Sequence, residues 1–490
     1  MGDAGVQFPL LDGRRSTQRT SREVFARAAA QVDGDLAAAI GAEERWRTSY
    51  PDHLRRLTAA SAVSAASALA AARAGLDHVA DTFAFVEDGE EHPLRDAVAG
   101  PPHAPLRTRS VLGHVERPKG LEIPYRGARL RDGDVLRTAA DWRRRGIVEP
   151  AVVEALTRVV EHPEWLDLRG TWFAVLGAGA EMAPTGDLLA WGAEVLAVDI
   201  ARPQIWRRLD DLAARGGGRL HTPVDDAAPH PLGVDLVTGA PRIRAWLETF
   251  DQPLVIGNHA YADGATFARA TVAADAIVAA LQRTRDGVGV ACLATPTDTF
   301  AVGADVVHET RQRVGRFPSP LARAIHGASR GRLMVPNYQE TIRTDDGDEV
   351  GIADSIVVQQ GPNYALAKRL QRWRAQVTRA DGGFGVVHVA PPTRTRSVLK
   401  NRVLAAAYAG APLFGVETFE PATSRALMAA LLVHDLRAHR GQPATAPAPE
   451  HELTRAAVHG GLWRVPWEPR TALPVAVVRG APAMLTRGAP

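Results

Sequence analysis

Cysteine is almost missing: the single thiol, Cys292, leaves no internal disulfide framework, and without a Cys-x-x-Cys pair no thiolate metal site is expected. A reducing, cytoplasmic setting is the corresponding expectation. Charge of one sign is equally scarce. The 58 basic and 55 acidic side chains leave a net charge of +3, so no strong field is available to hold nucleic acid or an anionic membrane, and neither is expected as a partner. Long apolar runs are absent near the N-terminus. The longest uncharged stretch there, Leu57 to Ala72, is Ala/Ser-rich and shorter than the ~20 residues of a membrane span, and no basic segment with an apolar core opens the chain. No His-Glu-x-x-His motif occurs, and the sixteen histidines are dispersed, so a protein-ligated metal is not expected. Lysine numbers only three, Lys119, Lys368 and Lys400, nearly all the positive charge being arginine. Unlike arginine, lysine titrates within reach of neutral pH when desolvated, so each one needs its chemistry asked about.

What remains is an ordinary globular composition, 46% hydrophobic and 23% charged with 44 Gly and 34 Pro, in 490 residues. Three regions are expected: a mainly helical accessory region over 1–166, an α/β domain over 167–440, and a Pro/Ala-rich linker with a Trp-containing tail over 441–490. In the first, Thr20 and Glu23 have capping-box spacing for a helix, an Ala-rich helix follows Pro51 through Ala72, residues 82–135 are irregular, and helix resumes near Thr138 and from Pro150. From Thr171, short apolar runs alternate with helical stretches, which predicts a doubly wound parallel sheet. Its predicted strands are Trp172–Leu176, Glu194–Val198, Arg219–Pro223, Asp235–Thr238, Gly289–Ala294, Gly385–Val389 and Pro412–Val416. An insertion over about 301–357, with a hairpin around Asp345-Asp346-Gly347, interrupts the alternation.

Gly177-Ala178-Gly179 follows a predicted strand and precedes a helix, where a glycine turn lets backbone N–H groups face a bound nucleotide. Asp199 ends the next strand, near the ~20-residue spacing at which a carboxylate meets an adenosine ribose. A 2′-phosphate would be repelled there, which favours NAD over NADP, although Arg202 and Arg207 lie close by. Glu181, Met182 or Ala183 stands where dinucleotide binders place a third glycine. Tyr364 and Lys368 are four residues apart, on one helical face, so a phenol could exchange a proton with a substrate oxygen while the ammonium lowers its pKa and holds a ribose. The nearby run Arg369, Arg372, Arg374 and Arg379 reads as a solvated face or a subunit contact. Cys292 lies in an apolar strand as a buried structural thiol.

The Tyr364-Ala-Leu-Ala-Lys368 helix and the strand and loop Gly385-Val-Val-His-Val-Ala-Pro391-Pro392-Thr393 after it resemble those of short-chain dehydrogenases/reductases. The resemblance covers roughly residues 170–435 and implies a Rossmann-like fold. It implies Asp225 as an adenine contact, Gly239 in the fourth strand's end, Thr393 beside the cofactor, Asn258 opening the helix to Leu281 and placing a relay water, and Thr295 polarising the substrate oxygen. Thr295 stands 69 residues before Tyr364, so the insertion must loop out as a unit; otherwise Thr297 or Ser355 takes its role. The implied activity is hydride transfer between NAD(P) and a small carbonyl or alcohol, in an enzyme that self-associates as a dimer or tetramer through its helices around 259–281 and 364–378. Two alternatives stay open: an S-adenosylmethionine-dependent methyltransferase, favoured by the glycine turn with Glu181, and a non-catalytic nucleotide-binding protein, favoured by the imperfect turn and by Pro392.

Overall fold

The computed structural model describes residues 4–102, 104–315, 317–438 and 450–486. Seven strands form the central sheet, labelled here in chain order: β1 (Arg107–Leu112), β2 (Trp172–Leu176), β3 (Glu194–Val198), β4 (Arg219–Val224), β5 (Leu254–Asn258), β6 (Val288–Ala294) and β7 (Gly385–Val389). Across the sheet they run β7-β6-β5-β2-β3-β4-β1, all parallel except β1, which pairs antiparallel with β4 at the edge. The parallel strands thus have the order of a Rossmann-type doubly wound sheet, with the reversal between β2 and β5.

The strands alternate strictly between two cores. Ala174, Leu176, Leu196 and Val198 face one, whereas Phe173, Val175, Val195 and Ala197 face the other. Helices cover both, which is why these strands read as nearly continuous apolar runs.

Two predicted strands are corrected. Asp235–Thr238 is a helix start: the Asp235 carboxylate accepts the Val237 N–H at 2.7 Å and N-caps the helix Leu236–Glu248, so local capping overrides the β-branched run. Pro412–Val416 lies in and just after a short 3₁₀ turn, Ala411–Phe414. The fourth parallel strand is instead β5, the short run Leu254-Val-Ile-Gly-Asn258 after Pro253.

On the first core face the N-terminal helices lie over the Gly264–Thr284 and Pro362–Ala380 helices. The first of them, Thr17–Ala29, is capped by Ser16 rather than opened at Thr20, which is buried. The expected Pro51–Ala72 helix is two helices, Trp46–Ser61 and Ala65–Thr82, because Ser64 caps the second. Gly75 lies flat on Trp373: a Cβ there would stand 2.2 Å from Trp373 Cζ3, and Phe25 meets the same indole edge-on at 6.0 Å. The chain's own N-terminal helices thus pack against the Pro362–Ala380 helix, one of the two expected to join subunits. The Gly264–Thr284 helix is long and apolar enough to cross a membrane, yet it is packed into this core.

The interruption after β6 is a three-stranded antiparallel sheet, Thr299–Gly303, Glu349–Asp354 and Ile342–Arg343, with helices Ala304–Arg311 and Pro320–Ala328. The chain's end packs onto it, Trp463 at 5.2 Å from Phe300 and Trp467 at 4.7 Å from Phe317. The Pro/Ala stretch Gln442–Pro449 lies outside the described residues.

Nor is the arginine run a solvated face. Arg369 and Arg372 are 1% exposed. Arg369 donates to Asp298 at 3.2 Å and to Thr299 Oγ1 at 2.9 Å, Arg372 pairs with the buried Glu450, and Arg374 forms a fork on Asp275. With the Arg369 bond to Thr58 Oγ1 at 3.2 Å, these tie the accessory region, the inserted sheet and the C-terminal segment to one helix.

Candidate active site

The reversal of strand order opens a crevice beyond the C-terminal ends of β2 and β5. Leu176, the last residue of β2, pairs with Asn258, the last of β5. Gly177 turns away at φ +82°, and a Cβ on it would lie 2.3 Å from the Ala260 nitrogen, so the two strand ends can sit this close only with glycine there. Asp199, one residue past β3, accepts the Gly179 N–H at 2.7 Å and the Ile200 N–H at 2.8 Å. Burial pushes its pKa up, and these backbone donors pull it part of the way back.

The helix after the turn is short, Thr185–Ala190. In the gap, Glu181 accepts the Arg396 N–H at 2.9 Å and pairs with its guanidinium at 3.2 Å, clasping the glycine turn to the loop after β7. This clasp is absent from the sequence reading, since the partners are 215 residues apart.

Tyr364 stands in the first turn of the helix Pro362–Ala380, which starts after Gly361 at φ +82° with proline in its first position. Lys368 is one turn further on. Thr295, one residue past β6, reaches Tyr364 because the inserted sheet does loop out as a unit; its hydroxyl also lies 2.8 Å from that of Thr297. Burial holds the Tyr364 phenol well above its ordinary pKa, with the Thr295 hydroxyl pulling downward and Tyr261 and Tyr408 pushing further up. The expected lowering of the phenol's pKa by the Lys368 ammonium is corrected: burial raises it, and Lys368 is not among the groups that act on it. Lys368 Nζ donates to the Leu293 carbonyl at 3.0 Å and to Gln371 Oε1 at 3.3 Å. Burial pushes its pKa down to about 8 against the pull of Cys292 and Asp298.

Asn258 is corrected from a helix-opening to a strand-ending residue, the helix beginning at Gly264. Its Oδ1 accepts the Ala260 N–H at 3.1 Å, and its Nδ2 is buried without a protein partner, a donor left for a ligand. His259, beside it, is held down to about pKa 3 by burial and by Lys368, and so is neutral. Cys292 is pushed up to about 12 by burial, which leaves it an inert thiol.

One cavity of about 1280 Å³ is lined by Gly177, Gly179, Asp199, Asn258, Thr295, Tyr364, Lys368 and Thr393 together. The Thr393 hydroxyl itself is turned away, to the Pro391 carbonyl at 2.8 Å and Ser424 at 2.6 Å. Two expected residues lie outside this lining. Asp225 is held by Arg242 at 2.7 Å, and Gly239 is inside the Leu236–Glu248 helix, where a Cβ would strike Val234. Ser355 is buried outside the lining as well, whereas Thr297 belongs to it. The sequence reading missed Arg47, His259, Tyr261 and Tyr408. For the phenols a signal existed: three of six tyrosines in the chain line this one cavity.

Comparison with known proteins gives little beyond the fold. No family model and no curated protein matches the chain. Solved structures similar to it include two short-chain dehydrogenase/reductase-type enzymes. One is an oxidoreductase of the short-chain dehydrogenase/reductase family from Burkholderia thailandensis, 16% identical, covering 59% of this chain and 91% of that one at a TM-score of 0.32. The other is a 3-oxoacyl-[acyl-carrier protein] reductase from Brucella melitensis in complex with NAD, 12% identical, covering 60% and 97% at a TM-score of 0.32. At that similarity neither carries an argument about residues, and the fold assignment rests on the strand order itself.

Proposed function

We propose that the protein is an NAD(P)-dependent oxidoreductase acting on a carbonyl or alcohol, with Tyr364 as the acid/base. The observation that carries this reading is the convergence, in one cavity at the strand-order reversal, of a carboxylate-braced glycine turn with Thr295, Tyr364 and Lys368. The lining suits a dinucleotide: glycine where a Cβ would clash, an orphaned amide donor on Asn258, and the Asp199 carboxylate at the ribose position. NAD is favoured over NADP because that carboxylate would face a 2′-phosphate, against the opposite pull of the flanking Arg202 and Arg208. Bound there, the nicotinamide would supply or take up the hydride.

The chain's own part is proton handling and positioning. Tyr364, kept protonated by burial, donates to a substrate oxygen in the reductive direction, and the Thr295 hydroxyl supports that oxygen. Lys368 turns from Leu293 and Gln371 to hold ribose hydroxyls, for which it must be charged. Because its pKa is pushed down to about 8, the charge is present below pH 8 and lost above it. Reduction is therefore expected to hold level up to about pH 8 and to fall about tenfold per unit beyond, read from initial rates with folding monitored in parallel.

Thermal unfolding with NAD⁺, NADH, NADP⁺, NADPH and S-adenosylmethionine tests the cofactor. A nicotinamide nucleotide at a hundred times its Kd should stabilise the protein by about 2.7 kcal/mol. In Asp199→Asn, which keeps an acceptor for the Gly179 N–H, preference for NAD over NADP should shrink. A response to S-adenosylmethionine alone, or to none of the five, overturns the oxidoreductase reading.

A further inference from the structure

The accessory region contributes a side chain to the cavity. Arg47, in the first turn of the helix Trp46–Ser61, lines it, and its Nη1 stands 3.3 Å from the Cβ position of Gly361. Gly361 precedes Tyr364 by three residues, ~4.5 Å of helical rise. The arginine's helix is firmly seated: Trp46 Nε1 donates to Ser21 Oγ at 2.7 Å, the Tyr50 hydroxyl reaches the Val357 carbonyl at 3.4 Å, and Thr58 meets Thr299 at 2.7 Å.

Its place in the lining, beside the start of the Tyr364 helix, singles this guanidinium out. Each carboxylate there is engaged: Asp199 and Asp235 by backbone N–H groups, Glu181 by Arg396, and Asp263 by the Tyr261 hydroxyl at 3.5 Å. Among the described residues, Arg47, Arg202 and Lys400 are the lining cations whose side chains no hydrogen bond or ion pair engages, and of these Arg47 is the one beside the start of the Tyr364 helix. The neutral amides of Gln359, Gln360 and Asn363 flank Gly361 in the lining; of the other lining cations, Lys368 is bonded to Leu293 and Gln371, Arg202 and Arg208 stand by Asp199, and Arg396 and Lys400 follow β7. A single planar fork among amide groups suits a monoanion better than a dianionic phosphate.

We infer that Arg47 binds the carboxylate of the substrate, so that the compound reduced or oxidised at Tyr364 is a short oxo or hydroxy acid. This rests on the reading of Tyr364 as acid/base; the place of Arg47 beside Gly361, three residues before Tyr364, is what points to a short compound. It also gives the N-terminal region a function, since the helix that covers the catalytic helix delivers the specificity residue.

The test is calorimetric titration of the full chain with a series of short linear oxo acids, each beside its methyl ester and the corresponding alkyl phosphate. NADH binding is followed separately by its fluorescence. Acids should bind about ten- to hundredfold tighter than their esters, Arg47→Ala should abolish that difference, Arg47→Lys should restore part of it, and Arg56→Ala, exposed like Arg47 on the same helix but outside the cavity lining, should change nothing. With turnover in hand, Arg47→Ala should raise KM for the acid and leave kcat within about twofold. Equal binding of acid and ester, or an Arg47→Ala protein that still prefers acids, overturns the inference, and tighter binding of the alkyl phosphate overturns the carboxylate assignment. If acids bind through Arg47 while NADH does not bind, the oxidoreductase reading fails and the anion site stands.

Discussion

Tyr364→Phe is expected to lower turnover by about 10²–10⁴-fold, the range over which a positioned general acid contributes. The substitution removes one oxygen from a ring that otherwise keeps its packing, against Phe267 at 5.5 Å. Neither the glycine turn nor Asp199 touches the phenol, so NADH fluorescence titration should give an unchanged Kd, and KM should move little. That split is the signature of a group acting on the reacting atoms rather than one that holds the fold. A Tyr364→Phe protein with full turnover would pass the acid role to another hydroxyl in the cavity, Tyr408 or Tyr261, and would end the mechanism argued above.

The largest expected effect on stability comes from Glu450→Ala. Glu450 and Arg372 are a buried ion pair, 2% and 1% exposed on their side chains, and Arg369 lies beside them at 1%. Removing the carboxylate strands cationic charge in a site closed to water, for which a cost of about 3–5 kcal/mol is expected. Urea unfolding measures it, and a loss below about 1 kcal/mol would show that water enters and rehydrates the arginines. The pH dependence has a definite sign. Burial pushes the Glu450 pKa up, but Arg372 and Arg369 outweigh it and hold the folded value below the ordinary one. The pair's contribution is thus present above the unfolded carboxylate's pKa of about 4.3 and is lost on acidification through the folded value, so the gap between wild type and variant should close in acid.

The two variants separate two uses of one helix. Its N-terminal turn carries the chemistry at Tyr364, and the following turns carry Arg369, Arg372 and Arg374 into the interior, where carboxylates from three parts of the chain meet them. Only the first use has a sequence signal. Tyr and Lys at i and i+4 mark a shared face whatever surrounds it, whereas arginines at i, i+3 and i+5 look the same on a wet surface and in a dry core until their partners are known. The expected solvated face therefore became the best-buried charge cluster described.

The same contrast runs through the sheet. Five strands were legible, because apolar runs bounded by turns specify extended segments locally. Asp235–Thr238 misled because its apolar residues serve a helix whose start is set by one capping carboxylate, and β5 was hidden because five residues after a proline offer little periodicity. By itself the sequence determined the class of the fold, the glycine turn with its carboxylate, and the Tyr–Lys helix: all depend on spacings within one or two elements. Tertiary structure alone decided that Thr295 reaches Tyr364 across the insertion, that Asp225 and Gly239 lie outside the cavity, that Lys368 bonds the Leu293 carbonyl rather than the phenol, and that Arg47 enters from the N-terminal region. Each of these is a contact between distant segments, fixed by which faces bury together, and no local pattern encodes that.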